Sequence, residues 1–341
     1  MASLHASNVT PLTAPPGVDD VRSAARQIEG VAVRTPLLHA EALSEALGCR
    51  LYVKAEPLQR TGSFKFRGAY NRISRLDKTA LARGVVAYSS GNHAQAVAAA
   101  AKICGTPAVI VMPKDAPAIK VAGTRRHGAE IVFYDRVHDN REAIGGKLAA
   151  ERGMTLVKPY DDPFVIAGQG TVGLEIAADC RAKGIVPDLV VVPAGGGGLI
   201  AGTALGLEAG SCGAKVYSAE PFGWHDHAVS LVAGERRKAP DPGVKTLCDS
   251  LLAAEPGEIT FEINRGRLAG GLVVNDDDVF HAMAAAFKDI KLVIEPGGAA
   301  ALAAVLARKV ELGGRTVVAV ASGGNVDPAT YRFTLEHTDR A

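Results

Sequence analysis

From Gly84 onward the chain falls into a regular alternation. Short apolar runs follow one another: Val85-Val86-Ala87-Tyr88, Ala108-Val109-Ile110-Val111-Met112, Glu130-Ile131-Val132-Phe133-Tyr134, Thr155-Leu156-Val157, Leu189-Val190-Val191-Val192-Pro193, Lys215-Val216-Tyr217-Ser218-Ala219 and Thr316-Val317-Val318-Ala319-Val320. They read as strands, and the continuous ones as strands buried on both faces. Between them helical spacing predicts helices over Asn92–Ile103, Ile119–His127, Arg141–Arg152, Gly168–Lys183, Asp276–Lys288 and Pro296–Glu311. Before Gly84 the pattern gives helices over Asp19–Ile28, Ala40–Leu47 and Phe66–Leu76, with a strand at Arg50–Lys54. Strand and helix alternating at this spacing imply right-handed crossovers and a mostly parallel sheet. The segment Pro221–Arg267 carries proline and charge throughout and reads as loop with short helix.

At 341 residues the chain is long enough for two domains or one large α/β domain. The formal net charge of +2, without a block of lysine or arginine, argues against a dedicated nucleic-acid binder. The cysteines, Cys49, Cys104, Cys180, Cys212 and Cys248, are scattered, without a CxxC pair. They suit buried thiols in a reducing compartment better than a disulfide framework or a zinc site. No apolar run is long enough to cross a membrane, and Met1–Gly17 lacks the layout of a secretory signal. A cytoplasmic protein with a mobile, proline-rich amino-terminal tail is expected.

The chemistry centres on Thr61-Gly62-Ser63-Phe64-Lys65-Phe66-Arg67-Gly68-Ala69-Tyr70-Asn71. A lysine between two phenylalanines loses basicity when desolvated and becomes a nucleophile, able to form a Schiff base with a carbonyl cofactor. It also reads as a surface lysine with buried aromatic neighbours. In parallel sheets ligands gather beyond the carboxyl ends of strands, where three glycine-rich turns lie: Ser89-Ser90-Gly91-Asn92-His93, Gly195-Gly196-Gly197-Gly198 and Ser322-Gly323-Gly324-Asn325. Consecutive glycines opening a helix present backbone N–H groups to an anion, and phosphate is the natural guest. The Walker A lysine and the G-x-G-x-x-G spacing are both missing. The serine- and asparagine-bearing turns read equally as helix caps or as seats for a carboxylate. One amine, one phosphate cradle and two polar turns are together what pyridoxal phosphate and an amino acid require.

The chain resembles the fold-type II pyridoxal-phosphate enzymes, most closely the branch of threonine/serine dehydratases and serine racemases. The likeness runs from about Thr35 to Asp327. It is carried by Gly62-Ser63-Phe64-Lys65-Phe66-Arg67-Gly68-Ala69, Ser90-Gly91-Asn92-His93-Ala94-Gln95, Ala167-Gly168-Gln169-Gly170-Thr171 and the tetraglycine, in the family's order. The resemblance implies a tryptophan-synthase-β-like α/β fold: two open, mostly parallel sheets flanked by helices, with the cofactor in the cleft between a large domain (1–77 and 162–341) and a small substrate-side one (78–161). It implies that Lys65 holds the cofactor and acts as base, that Phe64 packs on its ring, and that Asn92 meets the ring hydroxyl. Gly195, Gly196, Gly197, Gly198 and Leu199 would bind the phosphate, and Ser322 the pyridine nitrogen. Ser89, Ser90, Asn92 and His93 would surround the substrate carboxylate.

Three features bear on the branch. Serine racemases carry a serine where Ser90 stands and use it as acid and base on the face opposite the lysine; common threonine dehydratases carry alanine. Glu220 and Asp226, with the carbonyl of Trp224 between them, match a Mg²⁺ or Ca²⁺ site of the racemase-like branch, although Trp224, His225 and His227 depart from its small polar residues. Pro159-Tyr160-Asp161-Asp162-Pro163 looks more like the dehydratase form, with Tyr160 on the substrate side or in the core. The expectation is therefore dehydration and deamination of a β-hydroxy amino acid, L-threonine or L-serine first, by a homodimer or homotetramer with no isoleucine-binding regulatory domain. The alternatives are serine racemase, 3-hydroxyaspartate dehydratase and a non-catalytic phosphate- or nucleotide-binding protein, with a nicotinamide oxidoreductase last.

Overall fold

The computed structural model describes residues 14–338 apart from Ser90 and Pro117. The expected amino-terminal tail thus lies largely outside the described residues. Among the described residues ten strands form two sheets: β1 (Leu37–His39), β2 (Arg50–Ala55), β3 (Val85–Tyr88), β4 (Ala108–Pro113), β5 (Glu130–Tyr134), β6 (Thr155–Leu156), β7 (Leu189–Pro193), β8 (Lys215–Pro221), β9 (Leu268–Val274) and β10 (Thr316–Ala321). The larger sheet has the order β1-β2-β10-β7-β8-β9 and the smaller β5-β4-β3-β6. Only β1 runs antiparallel to its neighbour.

The continuous apolar runs are explained by cover on both faces. In the larger sheet Leu51, Val53, Leu189, Val191, Val317 and Ala319 face one core. Their neighbours Tyr52, Val190, Val192, Val318 and Val320 face the other. The smaller sheet divides in the same way: Val85, Ala87, Ile110 and Met112 pack on one side, while Val86 and Val109 pack on the opposite one with Met154.

Two helices of the large-sheet region are fitted closely. Pro163–Ala182 and Gly198–Ala209 cross where both are glycine-bearing. A Cβ on Gly202 would lie 2.6 Å from the Gly170 nitrogen, and one on Gly170 would lie 2.9 Å from the Gly202 carbonyl oxygen. Glycine inside a helix costs about 1 kcal/mol relative to alanine; here it lets the backbones meet and fixes where the tetraglycine turn emerges.

Several boundaries differ from expectation. The helix expected from Gly168 begins at Pro163, capped by the Asp162 side chain on the N–H groups of Phe164 and Val165. The helix from Asp276 ends at Ala285 and passes into one π turn, Ala286–Ile290, closed by Lys291 in the left-handed region. The helix from Pro296 stops at Leu306, just before Arg308 turns to a φ of 51°. Within Pro221–Arg267 lie the helices Asp226–Ala233 and Glu258–Asn264. None of the described helices is long and apolar enough to cross a membrane.

Candidate active site

The glycine-rich turns follow strands of different sheets, yet they meet. Ser89–His93 follows β3, the tetraglycine follows β7, and Ser322 follows β10. One pocket is lined by Phe64, Lys65, Ser89, Asn92, His93, Gly195, Gly196, Gly197, Gly198, Leu199 and Ser322. Ser90, the remaining residue expected here, lies outside the described residues.

Lys65 opens the helix Lys65–Ile73, with Phe64 as its cap. The turn before it is fastened to the end of β10. Phe64 N–H donates to the Ser322 carbonyl at 3.1 Å, Gly324 N–H donates to the Gly62 carbonyl at 2.9 Å, and Ser63 bridges Gly323. The lysine and Ser322 are thereby held in register by backbone. Lys65 Nζ donates to the Pro159 carbonyl at 2.7 Å and stands 5.1 Å from the centre of the Phe64 ring. Desolvation lowers its pKa to about 8, against the opposing pull of the Glu295 carboxylate. The amine is thus half neutral at about pH 8, and a neutral fraction far above that of a free lysine is available near physiological pH, as a nucleophile or base requires.

Across the pocket Gly197 takes a φ of 90° and caps the helix Gly198–Ala209. The first turn of a helix has N–H groups with no partner inside the helix, and Gly198 and Leu199 of this turn line the pocket. A side chain would fill the cradle: a Cβ on Gly196 would lie 2.5 Å from the Tyr160 ring, and one on Gly197 would lie 2.5 Å from His227 Nε2. Thr260 Oγ1 donates to the Gly196 carbonyl at 2.8 Å and steadies the turn. The neutral Ser322 and this bare backbone fit the ring and phosphate of pyridoxal phosphate.

Asn92 and His93 start the helix Asn92–Cys104. His93 Nε2 lies 2.9 Å from the Val157 carbonyl, and burial, aided by the Lys65 charge, takes its pKa down to about 3. The neutral ring donates through Nε2, so its free Nδ1 is an acceptor and not a donor for a carboxylate.

The sequence did not single out Glu295 or Arg141, which also line the pocket, or Lys120 and Asp249, whose ion pair at 2.7 Å crosses it. Arg141 is the first residue of the helix Arg141–Arg152, whose cap is Asn140. It makes no ion pair with a described residue, and its guanidinium stands 5.8 Å from the centre of the Tyr88 ring. A cation on the first turn of a helix opposes the macrodipole, at a cost of roughly 0.3–1 kcal/mol. The pocket thus has at its half-exposed edge a guanidinium without an ion-pair partner among the described residues, in a place where helix energetics disfavours a cation. Tyr160, left open between core and substrate side, is a pocket wall.

Glu220, Trp224 and Asp226 do not line this pocket. Glu220 and Asp226 do come together, and His227 joins them, with one potential ligand atom from each lying within 4.8 Å of the others. Burial pushes the Glu220 carboxyl up to about 8 and that of Asp226 up to about 7. Both Asp226 oxygens and both His227 nitrogens lack a hydrogen-bond partner. Glu220 is already used: Oε1 accepts from His227 N–H at 2.7 Å, and Oε2 from Ser218 Oγ and Ala228 N–H, each at 2.9 Å. Trp224 turns its indole away, donating to the Val244 carbonyl at 2.9 Å.

This constellation on two mostly parallel sheets fits a pyridoxal-phosphate enzyme. Residues 28–323 match the model of the pyridoxal-phosphate dependent enzyme family, and the chain belongs to that family. It is 42% identical over 316 residues to an L-threo-3-hydroxyaspartate ammonia-lyase of Saccharomyces cerevisiae, covering 93% of this chain and 95% of that one. It is 40% identical over 314 residues to an L-threonine ammonia-lyase of Thermotoga maritima, covering 91% and 76%. The structure of maize serine racemase superposes with a TM-score of 0.87 at 35% identity, covering 95% of this chain and 98% of that one.

Proposed function

We propose that the enzyme removes water from a β-hydroxy amino acid and releases a 2-oxo acid and ammonia. The observation that carries this reading is the desolvated Lys65 amine, facing the bare tetraglycine turn and the neutral Ser322 hydroxyl across one pocket. Pyridoxal phosphate, when bound, withdraws electrons from the α-carbon of the amino acid it carries. Lys65 would hold the cofactor and, once freed, take the α-proton as general base. Phe64 would cover the ring, Asn92 would meet its hydroxyl, and Ser322 would meet its nitrogen. Gly195 to Leu199 would seat the phosphate. Ser89, the backbone N–H of Asn92 and neighbouring N–H groups would hold the substrate carboxylate, with neutral His93 shaping the wall. The β-hydroxyl would leave as water, the proton taken from the α-carbon balancing the one it gains, and the released enamine would take up water to give the oxo acid and ammonia.

Arg141 narrows the substrate. Threonine and serine, which the sequence puts first, carry no charge at the β-carbon to meet a guanidinium. A second carboxylate does, and Arg pairs with carboxylates in a bidentate way. This favours 3-hydroxyaspartate, the substrate named for the yeast relative. Serine racemisation, the alternative, needs a second acid/base, for which Ser90 is the candidate. Ammonia release from the 3-hydroxyaspartate isomers, L-threonine and L-serine, measured beside D-serine formation, tests the reading. Turnover led by hydroxyaspartate supports it; racemisation faster than ammonia release overturns it.

A divalent cation would have to sit among Glu220, Asp226 and His227, outside the catalytic pocket and against Gly197, and would act by holding the phosphate turn. An imidazole among the donors suits a metal that accepts nitrogen better than Mg²⁺ or Ca²⁺, which prefer oxygen.

A further inference from the structure

Glu295 precedes the helix Pro296–Leu306, yet its side chain caps nothing there. It is 2% exposed and turns to the pocket, where Oε1 accepts from Asn92 Nδ2. The other end of the same amide is also taken. Asn92 Oδ1 accepts from Asn325 Nδ2 at 2.8 Å, and that nitrogen also donates to the Thr61 carbonyl at 2.7 Å. Backbone leaves the group little room to shift: a Cβ on Gly323 would collide with Glu295 Oε1 and lie 3.2 Å from Asn92 Nδ2.

A carboxamide offers two N–H groups and one carbonyl, whereas an ionised carboxylate only accepts. With the Asn92 oxygen given to Asn325 and one N–H given to Glu295, the amide has one N–H left for a group in the pocket. Reversed, it would set oxygen against the carboxylate oxygen. Burial raises the Glu295 pKa to about 7, with the Asp249 carboxylate adding to the rise, while Lys120, Asn92 and Lys65 favour the ionised form.

We propose that Glu295 is a positioning residue for the cofactor: it fixes the Asn92 amide so that an N–H, not a carbonyl, faces the ring hydroxyl and holds that oxygen as the phenolate. The proposal rests on the assignment of Asn92 to the ring hydroxyl made above. It deepens that assignment, because the state of the ring oxygen becomes a property of a residue that need not touch the cofactor.

The test is absorption spectroscopy across pH on the enzyme loaded with pyridoxal phosphate. The long-wavelength band reports the phenolate form, and the near-ultraviolet band the form protonated on the ring oxygen. Glu295→Ala and Glu295→Leu should move the population several-fold toward the near-ultraviolet band, in the direction of Asn92→Ala. On the Asn92→Ala background, Glu295→Ala should add nothing. Glu295→Gln keeps the shape and an acceptor oxygen; its shift, smaller than that of alanine, is read in the same way should the other variants not fold. Wild-type band ratios in the Glu295 variants, or a Glu295 effect undiminished on the Asn92→Ala background, would overturn the proposal. The wild-type spectrum separates the two readings: without a visible band the cofactor assignment falls, and this proposal with it.

Discussion

The ring of Tyr160 lies against Gly196, so close that a Cβ there would stand 2.5 Å from three of its ring carbons. The tyrosine belongs to the segment after β6 and the glycine to the turn after β7. The contact therefore joins one wall of the pocket to the glycine turn proposed as the phosphate seat. Gly196→Ala should displace the ring or the turn and weaken pyridoxal phosphate binding at least tenfold, about 1.4 kcal/mol. Tyr160→Ala in the same background should restore part of the loss. Titration of the apoenzyme with cofactor reads both; unchanged affinity in Gly196→Ala would remove the turn as the phosphate seat.

Arg141 meets its strictest test in selectivity. A hydrogen bond to a charged group contributes about 1.5–3 kcal/mol, or roughly ten- to 150-fold. Arg141→Met should lower kcat/KM for 3-hydroxyaspartate by that factor and leave L-serine turnover little changed. Equal losses on both substrates would make Arg141 structural.

The lowered basicity of Lys65 predicts a pH dependence. Burial disfavours the charged amine, so the neutral fraction grows as pH rises through about 8. The second-order rate of cofactor loading into apoenzyme should rise over that range and level off above it. A flat profile between pH values on either side would contradict the assignment of Lys65 as the reacting amine.

Two residues from Lys65, Arg67 is fully buried between two carboxylates, at 2.8 Å from Glu56 and 2.6 Å from Glu175. Lys54 reaches Glu175 from the other side at 2.6 Å. Arg67→Met leaves buried charge without a partner and should cost roughly 3–5 kcal/mol of stability, read by denaturant unfolding. Burial pushes the Glu175 carboxyl up, but Arg67 and Lys54 outweigh it and hold it below the ordinary value. A depressed folded pKa gives stability that is complete above the unfolded value and lost as pH falls through the folded one. The acid limb of a stability profile should therefore be shallower in Glu175→Gln.

Legibility in the sequence followed side-chain periodicity. The runs at β3, β7 and β10 were plain because both faces are apolar, and the glycine turns behind them were plain because they stand at strand ends. Strand β9 was not, since Gly270 and Gly271 interrupt it; Gly271 is there for packing, as a Cβ would lie 2.5 Å from Ala228 Cβ. The start of the helix at Pro163 was readable from Asp162 and Pro163 but was masked by Gly168, Gly170 and Gly173. Locally Arg141 is only the first residue of a helix and Glu295 only the residue before one. Their aim into the pocket depends on how two sheets are set together, which no local pattern encodes.

Of the two lysines that line the pocket, Lys65 and Lys120, it is Lys65 that would carry the cofactor. Lys120 lines the same pocket, paired with Asp249, and provides the competing amine. Borohydride reduction of the loaded enzyme, followed by proteolysis and mass spectrometry, fixes the attachment point. The pyridoxyl group is expected on Lys65, with none on Lys65→Ala. Attachment at Lys120, or undiminished labelling of Lys65→Ala, would contradict it.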